Sequence, residues 1–277
     1  MSTAKQEILI NADDAPRTGL LLPALSLAQR ELVRFIRQRN RVIGAFATPI
    51  VFWLLIGAGM GRSFAGEGAR GGYMEYFFPG TLLMILLFTA IFSSISIIED
   101  RREGFLQSVL VAPISRMAIV LGKVLGATAL AFGQGLIFLL LAPTVGISLT
   151  ITTFLLTAAM MLIVAFALSA LGFCIAWRMS STQGFHAIMN LLLMPMWFLS
   201  GALFPIAGAW SGIALVMRLN PLTYGMSAIR AGLYFNEPAV MVWPSLTTAA
   251  AVSILFAAAM FLLASLIAGG RVEADLQ

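Results

Sequence analysis

Residues 97 to 116, IIEDRREGFLQSVLVAPISR, hold the longest unbroken run of charge in the chain. Glu99, Asp100, Arg101, Arg102 and Glu103 stand in succession just past a long apolar run. Gly104 then frees the backbone, and Phe105, Leu106, Val109 and Leu110 recur at the spacing of one helical face until Pro113 stops the helix. Ser115 is placed to cap the next helix, whose first turns carry Arg116 and Lys123. The pattern predicts a short amphipathic helix held along a membrane boundary. A loop whose charges merely solvate it and fix topology fits the same composition.

The other residues able to do chemistry exclude more than they offer. The only Gly-Lys pair, Gly122-Lys123, is followed by Val124, and Met117 stands where a phosphate-cradling loop needs its first glycine. Cys174 is the single cysteine and His186 the single histidine, too few for a disulfide or a multi-ligand metal site. No catalytic and no metal residue is therefore assigned. Gln183, His186 and Asn190 fall at i, i+3 and i+7, with Met194 and Trp197 further along nearly the same face. Such a stripe inside lipid must face protein or water, either as glue between helices or as the lining of a substrate path. Gly122 and Gly126, like Gly57 and Gly61, are spaced for close helix approach.

The elements that position these residues follow from composition. Of 277 residues, 60% are hydrophobic and 10% charged, which marks an all-α, polytopic membrane protein. Apolar runs at about 43–60, 77–98, 117–142, 151–177, 185–204 and 245–268 reach the roughly 20 residues that cross the hydrocarbon as helix, so six spans are expected. Before them, residues 24–42 place Arg30, Arg34, Arg37 and Arg41 on one side and Leu25, Ala28, Leu32, Phe35 and Ile36 on the other. This predicts an interfacial helix that anchors to anionic lipid or docks a soluble partner. The expected organisation is one domain, 1–277: a tail at 1–23, the interfacial helix, the bundle at 43–268 and a tail at 269–277.

Thirteen of the seventeen lysines and arginines fall on one side of this six-span scheme, which puts both termini in the cytoplasm of a cell (inner) membrane protein. The net charge of +5 is thus topological, and no nucleic-acid partner is implied. The segment from Pro205 to Pro244 is too polar to span and is interrupted at Asn220-Pro221, predicting short external or re-entrant helices before the last span.

The order of these features resembles the permease subunits of ABC-2 type exporters, whose pattern is E-R-E-x-G-T-L-E-x-L-L-x-T-P-I-S followed by G-K. Here it stands as EDRREGFLQSVLVAPISRMAIVLGK. The Arg-Glu-Gly step, Ala-Pro-Ile-Ser and Gly122-Lys123 all match, and NPLTYGMSAIR at 220–230 is a second family-like stretch. Phe105, Gln107 and Ser108 depart from the pattern by making the short helix greasier and less negative.

The resemblance implies that residues 99–113 form a coupling helix seated on a cytoplasmic ATPase. Phe105, Leu106, Val109 and Leu110 then supply buried contact or enter lipid, while Glu99 to Glu103 set orientation through ion pairs. It also implies two ATPase subunits, a second permease half in a homodimer, and no cofactor on this chain, with ATP and Mg held by the ATPase. The implied cargo is hydrophobic or amphipathic, drug-like first and lipid-linked saccharide second, with antibiotic and nodulation-factor exporters among the similar members. An ion-coupled secondary transporter, or a scaffold that moves nothing, are the rival functions. The lack of a carboxylate inside any expected span counts against the first rival.

Overall fold

The structure, a computed structural model, describes residues 19–60, 72–112, 114–237 and 243–270. Its order is α1 (Leu21–Arg37), α2 (Arg39–Gly59), α3 (Tyr73–Ser93), α4 (Ile95–Arg102), α5 (Phe105–Val111), α6 (Arg116–Leu139), α7 (Ile151–Trp177), α8 (Thr182–Trp197), α9 (Ser211–Leu219), α10 (Pro221–Leu233) and α11 (Leu246–Gly269). The described residues contain six helical stretches long and apolar enough to cross a membrane. These are α2, the α3–α4 run, α6, α7, α8 with its extension, and α11. The Gly-rich stretch at 61–71, residues 1–18 and 271–277, and Pro113 lie outside the described residues.

Local chemistry sets several of the boundaries. Ser115 Oγ accepts the Ala118 N–H at 3.1 Å and starts α6. Thr150 and Thr153 satisfy each other's backbone at the start of α7. Asn220 Oδ1 takes the Leu222 N–H at 3.0 Å and Pro221 opens α10, so the expected interruption of the outer segment is a capped helix start.

Two expectations change. The predicted helix over 24–42 is two helices, broken at Gln38, whose backbone is non-helical (φ −90°, ψ 76°). Arg30, Arg34 and Arg37 belong to α1, while Arg41 falls on α2, and its side chain lies outside the described residues. The physical reason is that α1 packs against α6 whereas α2 packs against α3, so the chain turns between them. The turn falls at Gln38. In addition, the second span does not end at residue 98. After a hitch at Ser94, helix continues through Arg102, so the acidic pair Glu99 and Asp100 rides on a helix rather than in a loop.

The α1–α6 contact depends on small residues. A Cβ at Gly122 would meet the Ala24 carbonyl at 2.7 Å and Leu27 Cβ at 2.8 Å, and one at Gly126 would meet Glu31 Cβ at 2.9 Å. Ala24 and Ala28 face these glycines, so the two backbones touch where larger residues would separate them. Leu21, Leu22, Leu25 and Ile36 stay exposed on the outer side of α1.

The α3–α4 run fixes the long axis. It begins where the Tyr73 hydroxyl donates to the Leu203 carbonyl (3.1 Å), and it ends where Arg102 donates to the Ser180 carbonyl (3.0 Å). Thirty helical residues extend about 45 Å, so these contacts mark opposite ends of the bundle.

Candidate functional site

At the Arg102 end, charges from three helices converge. Arg30 Nη1 and Nη2 each reach Asp100 at 3.0 Å in a two-pronged pair, and Arg34 donates to Asp100 at 2.9 Å and to Glu99 at 2.8 Å. Lys123 donates to Glu31 at 2.6 Å and also to Asp100. The side chains of Asp100, Lys123 and Glu31 are 0%, 4% and 7% exposed. Burial works against the Arg30 charge, but the hydrogen bonds and charge of Asp100, with Glu31 and Glu103 behind, outweigh it and hold the guanidinium protonated above its ordinary range.

The next two arginines serve helix ends. Arg101 donates to the carbonyls of Trp177 (2.8 Å) and Met179 (3.1 Å), and Arg102 to that of Ser180. Cations there satisfy the carbonyls left over at the end of α7 and complement its dipole. Arg116 does the same for α11, donating to the Ala268 carbonyl at 2.9 Å. Glu103 has a 60% exposed side chain that approaches Arg34 at 3.5 Å.

The short helix α5 forms as the sequence predicts, entered through Gly104 in the left-handed region (φ 76°). Its apolar face turns inward. Leu106 is 2% exposed in the bundle core, Val109 and Leu110 pack at its margin, and the Phe105 ring lies under Arg30, 3.6 Å from the guanidinium carbon. The Phe105 ring is half-buried, with its Arg30 contact drawing it toward α1. The faces that α5 turns outward are Gln107, Ser108 and Val111, the last 74% exposed.

Between α2, α3 and α8 runs a groove of about 690 Å³. Thr48, Pro49 and Phe52 line one wall, Phe88, Thr89 and Phe92 the floor, and His186, Asn190 and Met194 the other wall, with Glu99 and Gln38 at one end. The predicted stripe is therefore split. His186, Asn190 and Met194 face the groove, Gln183 is exposed beyond it, and Trp197 is buried, its indole N–H donating to the Gly80 carbonyl at 2.9 Å.

Sequence reasoning gave no role to the opposite end of α8. There the helix opens over Phe198–Ala202, with Gly201 at φ 85°. The carbonyls so freed are taken by side chains: Asn220 on Met196 (2.6 Å), Thr223 on Leu199 (3.2 Å), Tyr76 on Gly201 (3.1 Å) and Arg230 on Gly201 (3.3 Å). Arg230 also sits over the Tyr76 ring at 4.6 Å. The signal was present in the side-chain donors of NPLTYGMSAIR, but not the location of their acceptors. Glu31 and Lys123 were likewise without a role, although a lone lysine before a run of uncharged residues requires a counter-charge.

Comparison with known proteins places this geometry. The pattern of the family described as "ABC-2 type transporter" matches residues 24–234, from α1 to the end of α10. A putative transport permease, ycf38, of Cyanophora paradoxa is 26% identical over 207 residues, 74% of this chain and 71% of the relative. Nodulation protein J of Sinorhizobium fredii is 25% identical over 194 residues, 69% of this chain and 73% of that one. The inner membrane transport permease YhhJ of Escherichia coli is 26% identical over 186 residues, 66% of this chain and 48% of the relative. With three quarters of its length matched to one family, this chain belongs to the ABC-2 type transporters, as a non-catalytic, membrane-spanning permease subunit of an exporter that works with ABC ATPase subunits.

Proposed function

We propose that this chain is one half of a homodimeric permease in the cytoplasmic membrane, with both termini in the cytoplasm, which two ATPase subunits drive to export a hydrophobic or amphipathic compound. Drug-like cargo ranks first and lipid-linked saccharide second. The observation that carries the reading is the groove between α2, α3 and α8. Its four phenylalanines, Phe35, Phe52, Phe88 and Phe92, offer apolar contact, while His186, Asn190, Thr48 and Thr89 offer hydrogen bonds, the mixture an amphipathic molecule needs. Similarity to the inner membrane transport permease of Escherichia coli supports an inner-membrane location.

In this reading α5 is the coupling helix. It meets the ATPase with Glu103, Gln107, Ser108 and Val111, because Phe105 and Leu106 are already committed to the permease itself. ATP and Mg belong to the ATPase. ATP binding shifts the population between cargo-accepting and cargo-releasing arrangements, which requires differential affinity of a few kcal/mol.

The test is reconstitution of this chain with its ATPase in sealed vesicles and measurement of ATP-dependent movement of a fluorescent amphipathic dye. Transport that requires ATP and both subunits supports the reading. Movement driven by a proton gradient without the ATPase would replace it with secondary transport, and assembly without movement of the dye or of a lipid-linked saccharide would favour a scaffold.

A further inference from the structure

Lys123 is a buried cation that neither the groove nor the face of α5 uses. No charged residue follows it until Arg178, so α6 carries it alone into the protein interior. Its ammonium bridges Glu31 of α1 and Asp100 of α4, with Ser96 Oγ at 3.4 Å. Arg30 and Arg34 hold Asp100 from the α1 side. Three cations, Arg30, Arg34 and Lys123, thus meet four anions, Glu31, Glu99, Asp100 and the more exposed Glu103.

Apolar side chains of similar volume would hold three helices together at least as firmly, because burying each ion carries a desolvation penalty. What fixed charges add is register. Each carboxylate in the cluster has partners on another helix, so a slide of α1, α4 or α6 by one turn would leave a buried charge uncompensated. The α4 helix also leads through Gly104 alone, after Glu103, into α5, and Arg30 covers Phe105. A displacement of α5 therefore arrives at Asp100 and Arg30 directly.

We propose that Lys123 is a positioning residue for ATP-driven transport, the pin that makes α1, α4 and α6 move as one body with α5. The inference rests on the reading of α5 as the contact with the ATPase. Without the pin, α5 still docks, but its motion is absorbed between α4 and α6 before it reaches the groove.

The test uses the full permease–ATPase complex in nanodiscs with Cys174→Ala as background and Asn190→Cys as a reporter in the groove. The rate of maleimide labelling at position 190 is compared without nucleotide and after trapping with ATP and vanadate. Lys123→Met is the direct variant. Glu31→Gln with Lys123→Met removes one charge of each sign and protects the fold, and Lys123→Arg keeps a cation able to bridge both carboxylates.

The expected result is a trapping-dependent change in labelling in the parent, its loss in the neutral double variant at unchanged ATPase retention, and its return in Lys123→Arg. A double variant that responds like the parent overturns the proposal. So does failure of all three variants, Lys123→Arg included, to assemble with the ATPase, since the cluster would then serve folding alone. If the parent shows no ATP-dependent change, the ATPase-driven reading fails first and the pin fails with it.

Discussion

The two ends of the bundle solve the same problem, buried polar groups among apolar helices, with different materials. At the α4–α5 end, formal charges pair across helices, and Asp100 alone engages Arg30, Arg34 and Lys123. At the far end, the opened turn at Phe198–Ala202 is held by an amide on the Met196 carbonyl, a threonine on that of Leu199, and a tyrosine and an arginine that share the Gly201 carbonyl. A neutral hydrogen bond contributes about 1 kcal/mol net and can be exchanged for another, whereas an orphaned buried charge costs several times that. One end is therefore built to keep a single arrangement, and the other to tolerate adjustment.

That contrast can be broken most forcefully at Lys123. Lys123→Met is expected to lower stability by about 3–5 kcal/mol, read as a fall in Tm of the purified permease, because Glu31 and Asp100 lose their shared cation. Adding Glu31→Gln should recover much of the loss. If the double variant is no more stable than the single one, charge balance is not what holds this end.

Gly122→Leu is expected to follow, with about 1–3 kcal/mol lost as the side chain pushes Ala24 and Leu27 away and opens the α1–α6 contact. Its signature should be increased protease cleavage or hydrogen exchange in α1. At the far end, Asn220→Ala removes both the cap of α10 and the bond to Met196, and a smaller loss of about 1–2 kcal/mol is expected in the same melts.

Tyr76→Phe should be the mildest, about 1 kcal/mol, since it removes one hydroxyl bond to Gly201 while Arg230 still reaches the same carbonyl. A double-variant cycle sharpens the contrast: Glu31 and Lys123 should couple strongly, Tyr76 and Asn220 nearly additively. Strong coupling at the far end would show that it is as rigid as the charged one.

Much of the fold was legible in the amino acids. The span over 151–177 agrees with α7 at both ends, and Ser115, Asn220 and Gly104 mark helix boundaries where their chemistry demands. The interfacial helix was misjudged in length because periodicity continues through Arg41, while the break at Gln38 answers to the different neighbours of α1 and α2, α6 and α3 respectively. The inward turn of Phe105 and Leu106 escaped for a related reason. An amphipathic face reports that something apolar covers it, not whether that cover is a partner, lipid or the same chain.

Composition, spacing and the motif around Gly104 suffice to specify a membrane permease of six helical spans with a short helix after the second. Hydrocarbon thickness and the need to satisfy backbone groups act locally, residue by residue, and leave their mark in composition and spacing. Only the tertiary structure decided that Glu31, Asp100 and Lys123 share one buried site and that Asn220, Thr223 and Arg230 close the gap in α8. Glu31 and Lys123 lie 92 residues apart, and their pairing depends on how closely Gly122 and Gly126 let α1 approach α6.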